Sequence, residues 1–283
     1  MPVIPFDWTT MYRGPDLLPG FIATREHRRF VEFAADVRRQ RTIGLSFGPA
    51  GVGKTWSARR YAHWHRIEPF LLELAPREPS DARIHALAAR SRTLIYTPAV
   101  GAGLKQMKDD LNYLAVQMGF CISAGLALKD PSIDPMRIAP IELLIVDEAE
   151  RLNLTALEWL RDLYDRAPMG LILTGMPGIE KSMARYAQLY SRVGFAHEYR
   201  PLQGEELTFV LNRHWKTLGL VLDADDFTDD RAIAAVARIT GGNFRLLQRL
   251  FNQIGRILAV NKMTTITENV VDAARSTLVI GPT

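Results

Sequence analysis

Residues 48–55 read Gly48-Pro49-Ala50-Gly51-Val52-Gly53-Lys54-Thr55, and this stretch decides the fold. It matches Gly-x-x-x-x-Gly-Lys-Ser/Thr at every fixed position, between an apolar run, Ile43 to Phe47, and a helical pattern that begins at Trp56. Glycines let the backbone wrap closely around phosphates, and the following helix presents the positive end of its dipole to them. We predict that residues 48–56 bind ATP, with Lys54 on the β- and γ-phosphates and Thr55 on Mg²⁺. A glycine-rich turn that binds nothing is the alternative.

The composition is that of an ordinary globular protein. The chain has 283 residues, of which 47% are hydrophobic and 23% charged, with a net charge of +4. No apolar run approaches the roughly 20 residues of a membrane helix, and the N-terminus lacks the pattern of a signal peptide, so we expect a cytoplasmic protein and no membrane partner. Cys121 is the only cysteine and the histidines are scattered, so neither a disulfide framework nor a Cys or His metal site is expected.

The order of the patterns predicts an α/β domain followed by a helical domain. Strand and helix patterns alternate to about residue 200, which predicts a central parallel sheet flanked by helices. Residues 201–283 carry helical apolar spacing only and would form a small lid domain. We assign residues 1–23 to an extended arm, residues 24–200 to the core, and residues 67–92 to an insertion within that core.

Two segments of the core are harder to interpret. Within the insertion, Pro69 to Leu74 resembles a strand and Asp81 to Ala89 a helix. Between Gly119 and Pro140, the Gly, Pro and Asp content predicts a loop with one short helix at most.

Asp147 and Glu148 directly follow Ile141 to Val146, the most apolar strand pattern in the chain. Such a run suits a central parallel strand that is buried on both faces. In a phosphate-loop fold, an Asp at this strand end holds Mg²⁺, and a following Glu orients and deprotonates the attacking water. The pair therefore favours hydrolysis, although acidic residues also occur simply as the N-terminal charges of a helix.

Three further residues suit roles near the γ-phosphate. Thr174 ends the next strand, where its hydroxyl could bind the attacking water, and an ordinary strand-end threonine is an equally good interpretation. Arg192 precedes the last strand and could stabilise transition-state charge in a neighbouring subunit. Arg245 opens a helix of the second domain and could close onto the phosphates of its own chain. For both arginines, the alternative is an ordinary surface position.

Together, these features resemble an AAA+ ATPase. A narrower resemblance, to the transposition regulators of the TniB, TnsC and phage Mu B group, covers roughly residues 20–280. It is carried by three stretches: Asp147-Glu148-Ala149-Glu150-Arg151-Leu152, Thr174-Gly175-Met176-Pro177-Gly178-Ile179-Glu180, and Ala184-Arg185-Tyr186-Ala187-Gln188-Leu189-Tyr190-Ser191-Arg192-Val193-Gly194-Phe195. The insertion at residues 67–92 and the short N-terminus depart from this group.

The resemblance implies an ATP-dependent homo-oligomer, a helical filament or a ring on double-stranded DNA. Such an oligomer selects a target site with a target-selection protein and recruits or activates a transposase, and ATP hydrolysis drives its disassembly. Lys105 and Lys108 follow the second strand and are candidate contacts to DNA phosphates, with solvated helix lysines as the alternative. Two other functions share the same core: a helicase loader of the DnaC or IstB kind, and a signalling ATPase that acts without DNA.

Overall fold

The structure, a computed structural model, describes residues 21–73, 81–223 and 226–278. These residues form two compact units. The first contains residues 21–23, 27–47, 55–73 and 81–198, and the second contains residues 24–26, 48–54, 199–223 and 226–278. The phosphate loop therefore groups with the helices that follow residue 199. Most of the predicted N-terminal arm lies outside the described residues.

A five-stranded parallel sheet forms the centre of the first unit. The strands are β1 Ile43–Phe47, β2 Thr93–Tyr96, β3 Leu143–Val146, β4 Gly170–Gly175 and β5 Val193–Glu198, in the order β2-β3-β4-β1-β5. Every residue of β2, β3 and β4 is buried, as expected for parallel strands covered by helices on both faces. The α/β class and the parallel sheet predicted from the sequence are confirmed.

Helices surround this sheet. They are α1 Arg25–Gln40, α2 Lys54–Tyr61, α3 Trp64–Leu72, α4 Ala82–Ser91, α5 Leu104–Ala127, α6 Leu154–Arg166, α7 Ile179–Ala184 and α8 Ala187–Tyr190. A 3₁₀ turn, Ala149–Arg151, follows β3. The helix α1 packs closely on the sheet because β1 has a glycine at position 44. A Cβ on Gly44 would lie 2.7 Å from both Phe33 and Val37, and those side chains are buried there.

Two predictions for the middle of the chain are wrong. The segment from Pro69, interpreted as a strand, belongs to the helix α3, which contains this proline. The predicted loop after Gly119 is helical as far as Ala127, because the glycines of α5 are packing positions. A Cβ on Gly119 would lie 2.5 Å from Ile138, and a Cβ on Gly125 would lie 2.0 Å from the carbonyl oxygen of His85 in α4.

The second unit is built from helices. They are α9 Gly204–Thr217, α10 Phe227–Thr240, α11 Phe244–Asn261 and α12 Glu268–Ser276. Their core includes Trp215 and Phe251, whose ring centroids lie 5.2 Å apart. The side chain of Thr267 caps α12, and that of Asp226 caps α10. Among the described residues, no helix is long and apolar enough to cross a membrane.

Candidate nucleotide-binding site

The phosphate loop has a backbone that glycine adopts most easily. Gly51 has a φ of 82° and Gly53 a φ of 111°. At Gly48, a Cβ would lie only 2.3 Å from the carbonyl oxygen of Tyr199, so any side chain would clash. The Nζ of Lys54 donates to the carbonyl oxygen of Pro49 at 2.8 Å and to that of Gly48. The ammonium group of this buried residue is thus held against the loop backbone.

Residues at the start of α11 bind the backbone of this loop within the second unit. Asn243 Nδ2 donates to the carbonyl oxygen of Ala50 at 2.7 Å, and the backbone N–H of Arg245 donates to that of Gly51 at 3.2 Å. A Cβ on Gly51 would lie 2.5 Å from Asn243 Oδ1, so only glycine fits. Arg245 therefore lies beside the loop, and its exposed side chain is available for the predicted role.

Asn243 is a site residue that the sequence reasoning missed. Its Oδ1 caps α11 by accepting from the backbone N–H groups of Arg245 and Leu246. Its Nδ2 makes the contact with Ala50. The available signal was the asparagine that precedes a strongly amphipathic helix, since asparagine is a preferred N-cap.

In the first unit, Thr55 meets the acidic strand end. Thr55 Oγ1 donates to Asp147 Oδ2 at 2.6 Å, across 92 residues of sequence. Asp147 is 4% exposed, and its other oxygen accepts from the backbone N–H of Glu148 at 3.1 Å. The carboxyl end of β3 places the aspartate, and the start of α2 places the threonine.

This pair fits Mg²⁺. A hydroxyl and one carboxylate are oxygen ligands of the kind that Mg²⁺ takes when waters and nucleotide phosphates complete its coordination. The described residues contain no group of three or more His, Cys, Asp or Glu side chains that could hold a metal ion alone. When bound, the ion neutralises charge on the β- and γ-phosphates.

Glu148 has an unusual backbone conformation. Its φ of 53° and ψ of 44° place it in the left-handed region, which non-glycine residues adopt rarely and often at functional sites. Its side chain is partly exposed and forms an ion pair with Arg151, in the 3₁₀ turn. Glu148 thus lies beside Asp147 at the end of β3, and the nearest charged group to its carboxylate is an arginine side chain.

Thr174 lies in β4, an interior strand, near the carboxyl ends of the strands, where Asp147 also lies. It pairs with Ser46 of β1, and the preceding residue, Leu173, pairs with Val146 of β3, so Thr174 lies level with Asp147. The side chain is fully buried, and its Oγ1 has no hydrogen-bond partner within the described part of the chain. Leaving a buried hydroxyl unpaired costs about 1–3 kcal/mol, which favours a ligand or a water as its partner.

Arg192 is held within its own chain. Its Nε and Nη2 donate to the two carboxylate oxygens of Asp165 at 2.6 and 3.0 Å, and Nη1 donates to the carbonyl oxygen of Gln188. The Arg192 guanidinium is the main cause that lowers the pKa of Asp165. This bidentate geometry fixes the orientation of the arginine at the start of β5.

The two candidate DNA-contacting lysines differ in environment. Both lie in the first turns of α5. Lys105 is exposed, whereas the Nζ of Lys108 lies 5.5 Å from the ring centroid of Trp159 and is partly covered. A cation over an indole ring still carries its charge but has fewer accessible orientations.

Trp56 and Ser57 follow the phosphate loop and belong to the first unit. Trp56 is 49% exposed in the first turn of α2. Its neighbour Ser57 is buried and hydrogen-bonds to His27 Nδ1 at 3.0 Å. Burial, reinforced by the charge of Arg60, lowers the pKa of His27 to about 4, so this histidine is neutral near pH 7.

Comparison with known proteins identifies the family. Residues 37–183 match the family described as "AAA domain". The chain belongs to this AAA family. A relative from Staphylococcus aureus, described as "Potential ATP-binding protein", is 37% identical over 265 residues, which cover 92% of this chain and 97% of the relative. Family and fold together imply that this AAA protein binds a nucleotide.

A more distant relative carries a functional name. The "Mu-like prophage FluMu DNA transposition protein B" of Haemophilus influenzae is 26% identical over 242 residues, which cover 82% of this chain and 72% of that protein.

Solved structures share the AAA+ fold. The Thermotoga maritima RuvB Holliday junction branch migration motor has a TM-score of 0.55 at 19% identity, covering 93% of this chain and 72% of that one. The ADP form of the Aeropyrum pernix ORC2 protein has a TM-score of 0.57 at 14% identity, covering 93% of this chain and 70% of that one. At these identities, the likeness concerns the fold alone.

Proposed function

We propose that the protein is an ATPase of DNA transposition, of the TniB, TnsC and phage Mu B group. In the ATP-bound state it assembles on duplex DNA, selects a target site with a target-selection protein, and recruits or activates a transposase. Hydrolysis then drives disassembly. The hydrogen bond from Thr55 to Asp147 carries the ATPase part of this proposal. The similarity to a DNA transposition protein over most of the chain supports the DNA part.

Hydrolysis requires a base that accepts a proton from the attacking water and a second group that orients this water. Glu148 accepts a proton from the attacking water, the water oxygen bonds to the γ-phosphorus, and ADP leaves with the electrons of the broken P–O bond. Thr174 binds the same water through its hydroxyl, which has no partner among the residues that the structure describes. Thr55 and Asp147 would hold Mg²⁺, which would neutralise charge on the phosphates, and Lys54 would bind the β- and γ-phosphates.

The two arginines act in different chains. Arg245 belongs to the unit that contains residues 48–54, and its backbone contact with Gly51 supports a role at its own chain's phosphates. Arg192 lies at the start of β5 and would contribute to the site of a neighbouring subunit in a filament or ring. Hydrolysis therefore depends on assembly in this proposal.

DNA is bound through its phosphates. Lys105 and Lys108 recur with every subunit of an oligomer, so repeated phosphate contacts would give affinity with little base specificity. We also propose that the protein is cytoplasmic, as predicted from the sequence, because its DNA substrate would be found there.

Nucleotide-dependent binding to DNA tests the proposal. Fluorescence anisotropy of a labelled duplex would be measured with ATP, with a non-hydrolysable ATP analogue, with ADP, and without nucleotide. Tight binding is expected with the analogue, and with ATP for Glu148→Gln, but not for Lys54→Ala. Equal binding in all four conditions, or none, would contradict the proposal. ATPase stimulation by a replicative helicase but not by DNA would favour a helicase loader, and activity indifferent to both would favour a signalling ATPase.

A further inference from the structure

A basic cavity lies at the amino ends of the strands of the first unit. Its volume is about 410 Å³. Glu142, which lines it, directly precedes β3, whereas Asp147 directly follows β3, so the cavity lies at the opposite ends of the strands from the Thr55–Asp147 pair. The lining residues come from the end of α1, from α2 and from the start of β3: Ala35, Arg38, Arg39, Arg41, Tyr61 and Glu142.

Glu142 does not neutralise this cavity, because two arginines share its carboxylate. The Nε of Arg38 donates to Glu142 Oε2 at 2.7 Å, and Arg92 Nη1 donates to Oε1. Burial opposes the ionisation of Glu142, but these hydrogen bonds and charges keep its pKa below the usual value. The carboxylate is therefore ionised near pH 7, and the two guanidinium groups exceed its charge by one.

Three exposed arginines extend the positive charge beyond the cavity. They are Arg41, two residues before β1, Arg66 in α3 and Arg90 in α4, and we call them the basic strip. Among the residues that the structure describes, none of the three forms an ion pair with a carboxylate. Arg90 adjoins the cavity, since its carbonyl oxygen lies 3.5 Å from Arg38 Nη1. Burial lowers the pKa of His63, and the charges of Arg90 and Arg66 lower it further, so these groups lie near one another.

The backbone around this surface is strained at three helix ends. Five non-glycine residues in the described ranges have a positive φ, and three of them lie here: Arg41 at 50°, His63 at 53° and Arg92 at 44°. They follow α1, α2 and α4. Glycine is the usual residue with this conformation after a helix, because it has no Cβ.

Arg41 is the member of this group that the fold does not explain. Arg92 gains its contact with Glu142, whereas the side chain of Arg41 is exposed and has no carboxylate partner within the described part of the chain. The dipole of α1 does not require it either, because Arg38 and Arg39 already lie in the last turn of that helix. A side chain placed on a strained backbone without an internal partner favours an external one.

The chemistry of the basic strip suits a phosphate backbone. A guanidinium group presents a planar set of N–H donors that matches phosphate oxygens, and burial raises the pKa of Tyr61, so its hydroxyl is also a donor. The three arginines come from separate elements, which suits a linear polyanion better than one small anion. Lys105 and Lys108 follow the carboxyl end of β2, whereas the strip lies at the amino ends of the strands.

We propose that the basic strip and its cavity bind the phosphate backbone of a second DNA duplex, so that one assembly holds two DNA segments. This inference rests on the proposed function, in which Lys105 and Lys108 contact the first duplex. The arginines of the strip contact phosphates of the second duplex, and Glu142 holds the Arg38 guanidinium at the cavity wall. Because these contacts are to phosphates, capture of the second duplex is independent of its sequence and falls with salt.

A capture assay tests this inference. The protein is bound with a non-hydrolysable ATP analogue to a duplex fixed on beads, the excess is washed away, and a fluorescent second duplex is added at several salt concentrations. Wild type should retain the second duplex, and Arg41→Gly should retain several-fold less. Each lost phosphate contact should also lower the slope of log K against log salt by about 0.9.

Lys262→Gly is the matched control. Lys262 follows α11 with a φ of 53° and an exposed side chain, so this substitution also removes one positive charge and relieves one strained residue. Both glycine variants should unfold at the wild-type temperature or above it, and both should bind the first duplex as wild type does. Only Arg41→Gly should lose the second duplex. Arg90→Ala, at an exposed helix position, is a second variant that should show the same loss.

Three results would overturn the inference. One is a second duplex that wild type does not retain, or that Arg41→Gly/Arg90→Ala retains equally well. Another is an equal loss of the first duplex in these variants, which would assign the strip to a single DNA site. The third is unchanged capture with weaker self-association, which would assign the strip to a contact between copies of the chain. The proposed function fails in a different way, when the analogue does not increase binding of wild type to the first duplex.

Discussion

Arg192 and Asp147 lie at opposite ends of the strands of one parallel sheet, Arg192 before β5 and Asp147 after β3. The carbonyl oxygen of Arg192 accepts from the backbone N–H of Ile43, the first residue of β1, at 3.1 Å. The backbone N–H of Asp147 donates to the carbonyl oxygen of Tyr96, the last residue of β2, at 2.8 Å. A five-residue strand spans roughly 16 Å, so Arg192 cannot approach the Thr55–Asp147 pair of its own chain. Any role for Arg192 at a γ-phosphate is therefore a role in another subunit.

Arg192→Ala should bind ATP but hydrolyse it poorly and assemble weakly. An arginine supplied in trans contributes about 10³ to 10⁵ to the rate in nucleotide hydrolases. Mixing Arg192→Ala with Lys54→Ala should restore ATPase activity that neither variant has alone, because the first keeps an intact pocket and the second keeps the arginine. A titration of one variant into the other, followed by phosphate release, measures this recovery.

Arg185 provides the comparison for this experiment. It follows α7 directly and is exposed, so it also faces outward. If mixed oligomers form but remain inactive, the assignment of Arg192 is wrong, and Arg185→Ala should then show the loss and recovery expected of Arg192→Ala.

Lys54→Ala and Glu148→Gln should separate binding from chemistry. Lys54→Ala removes the only side-chain charge in residues 48–54 and should abolish binding of a fluorescent ATP analogue. Glu148→Gln should bind the analogue normally but hydrolyse ATP about 10²- to 10⁴-fold more slowly, because an amide cannot act as the base. Equal hydrolysis by Glu148→Gln and wild type would remove Glu148 from the mechanism.

Removing the charges of Lys105 and Lys108 should weaken DNA binding on all sequences alike. Two lost phosphate contacts should reduce the slope of log K against log salt by about 1.8. The double alanine variant would be compared with Lys129→Ala/Lys181→Ala, which removes the same charge from exposed positions elsewhere. An unchanged slope would return both lysines to the interpretation as solvated helix residues.

Folding stability should decrease as the pH falls from about 6.5 toward 4. His197 is 9% exposed and stacks on Phe33, and burial, together with the charge of Arg29, lowers its pKa to about 4. Because its pKa in the unfolded chain is near 6.5, protons bind preferentially to the unfolded state in this window, and the free energy of unfolding falls. Urea unfolding at pH 7.5, 6 and 5 measures the effect. His197→Phe should show a shallower dependence, and an equal slope would assign the effect to His27 and other groups.

The sequence predicts regular elements well where local pattern and burial agree. The bounds of β1 match the predicted ones, and Thr55 and Asp147 meet as their motifs imply. The wrong predictions of secondary structure arose at glycine and proline residues. Gly125 permits close helix packing inside α5, and Pro69 lies inside α3, whereas local propensity interprets both residue types as breaks.

Long-range polar contacts between residues that belong to no common motif could not be predicted from one sequence. The contact of Asn243 with Ala50 joins residues 193 positions apart, and that of Arg192 with Asp165 joins residues 27 apart. Such pairs depend on how helices are placed around the sheet and leave no periodic signal.

The close approach of α4 to α5 bears on comparisons between chains of different length. The carbonyl oxygen of His85 occupies the space that a side chain at position 125 would need, and Ala89 lies beside it. A homologue that lacks residues 67–92 would leave this strip of α5 uncovered, and a larger or more polar residue would then be tolerated at the position of Gly125. Among homologues, the presence of this segment should therefore co-vary with a glycine at position 125. The segment and the face of α5 on which α4 packs would be inherited together.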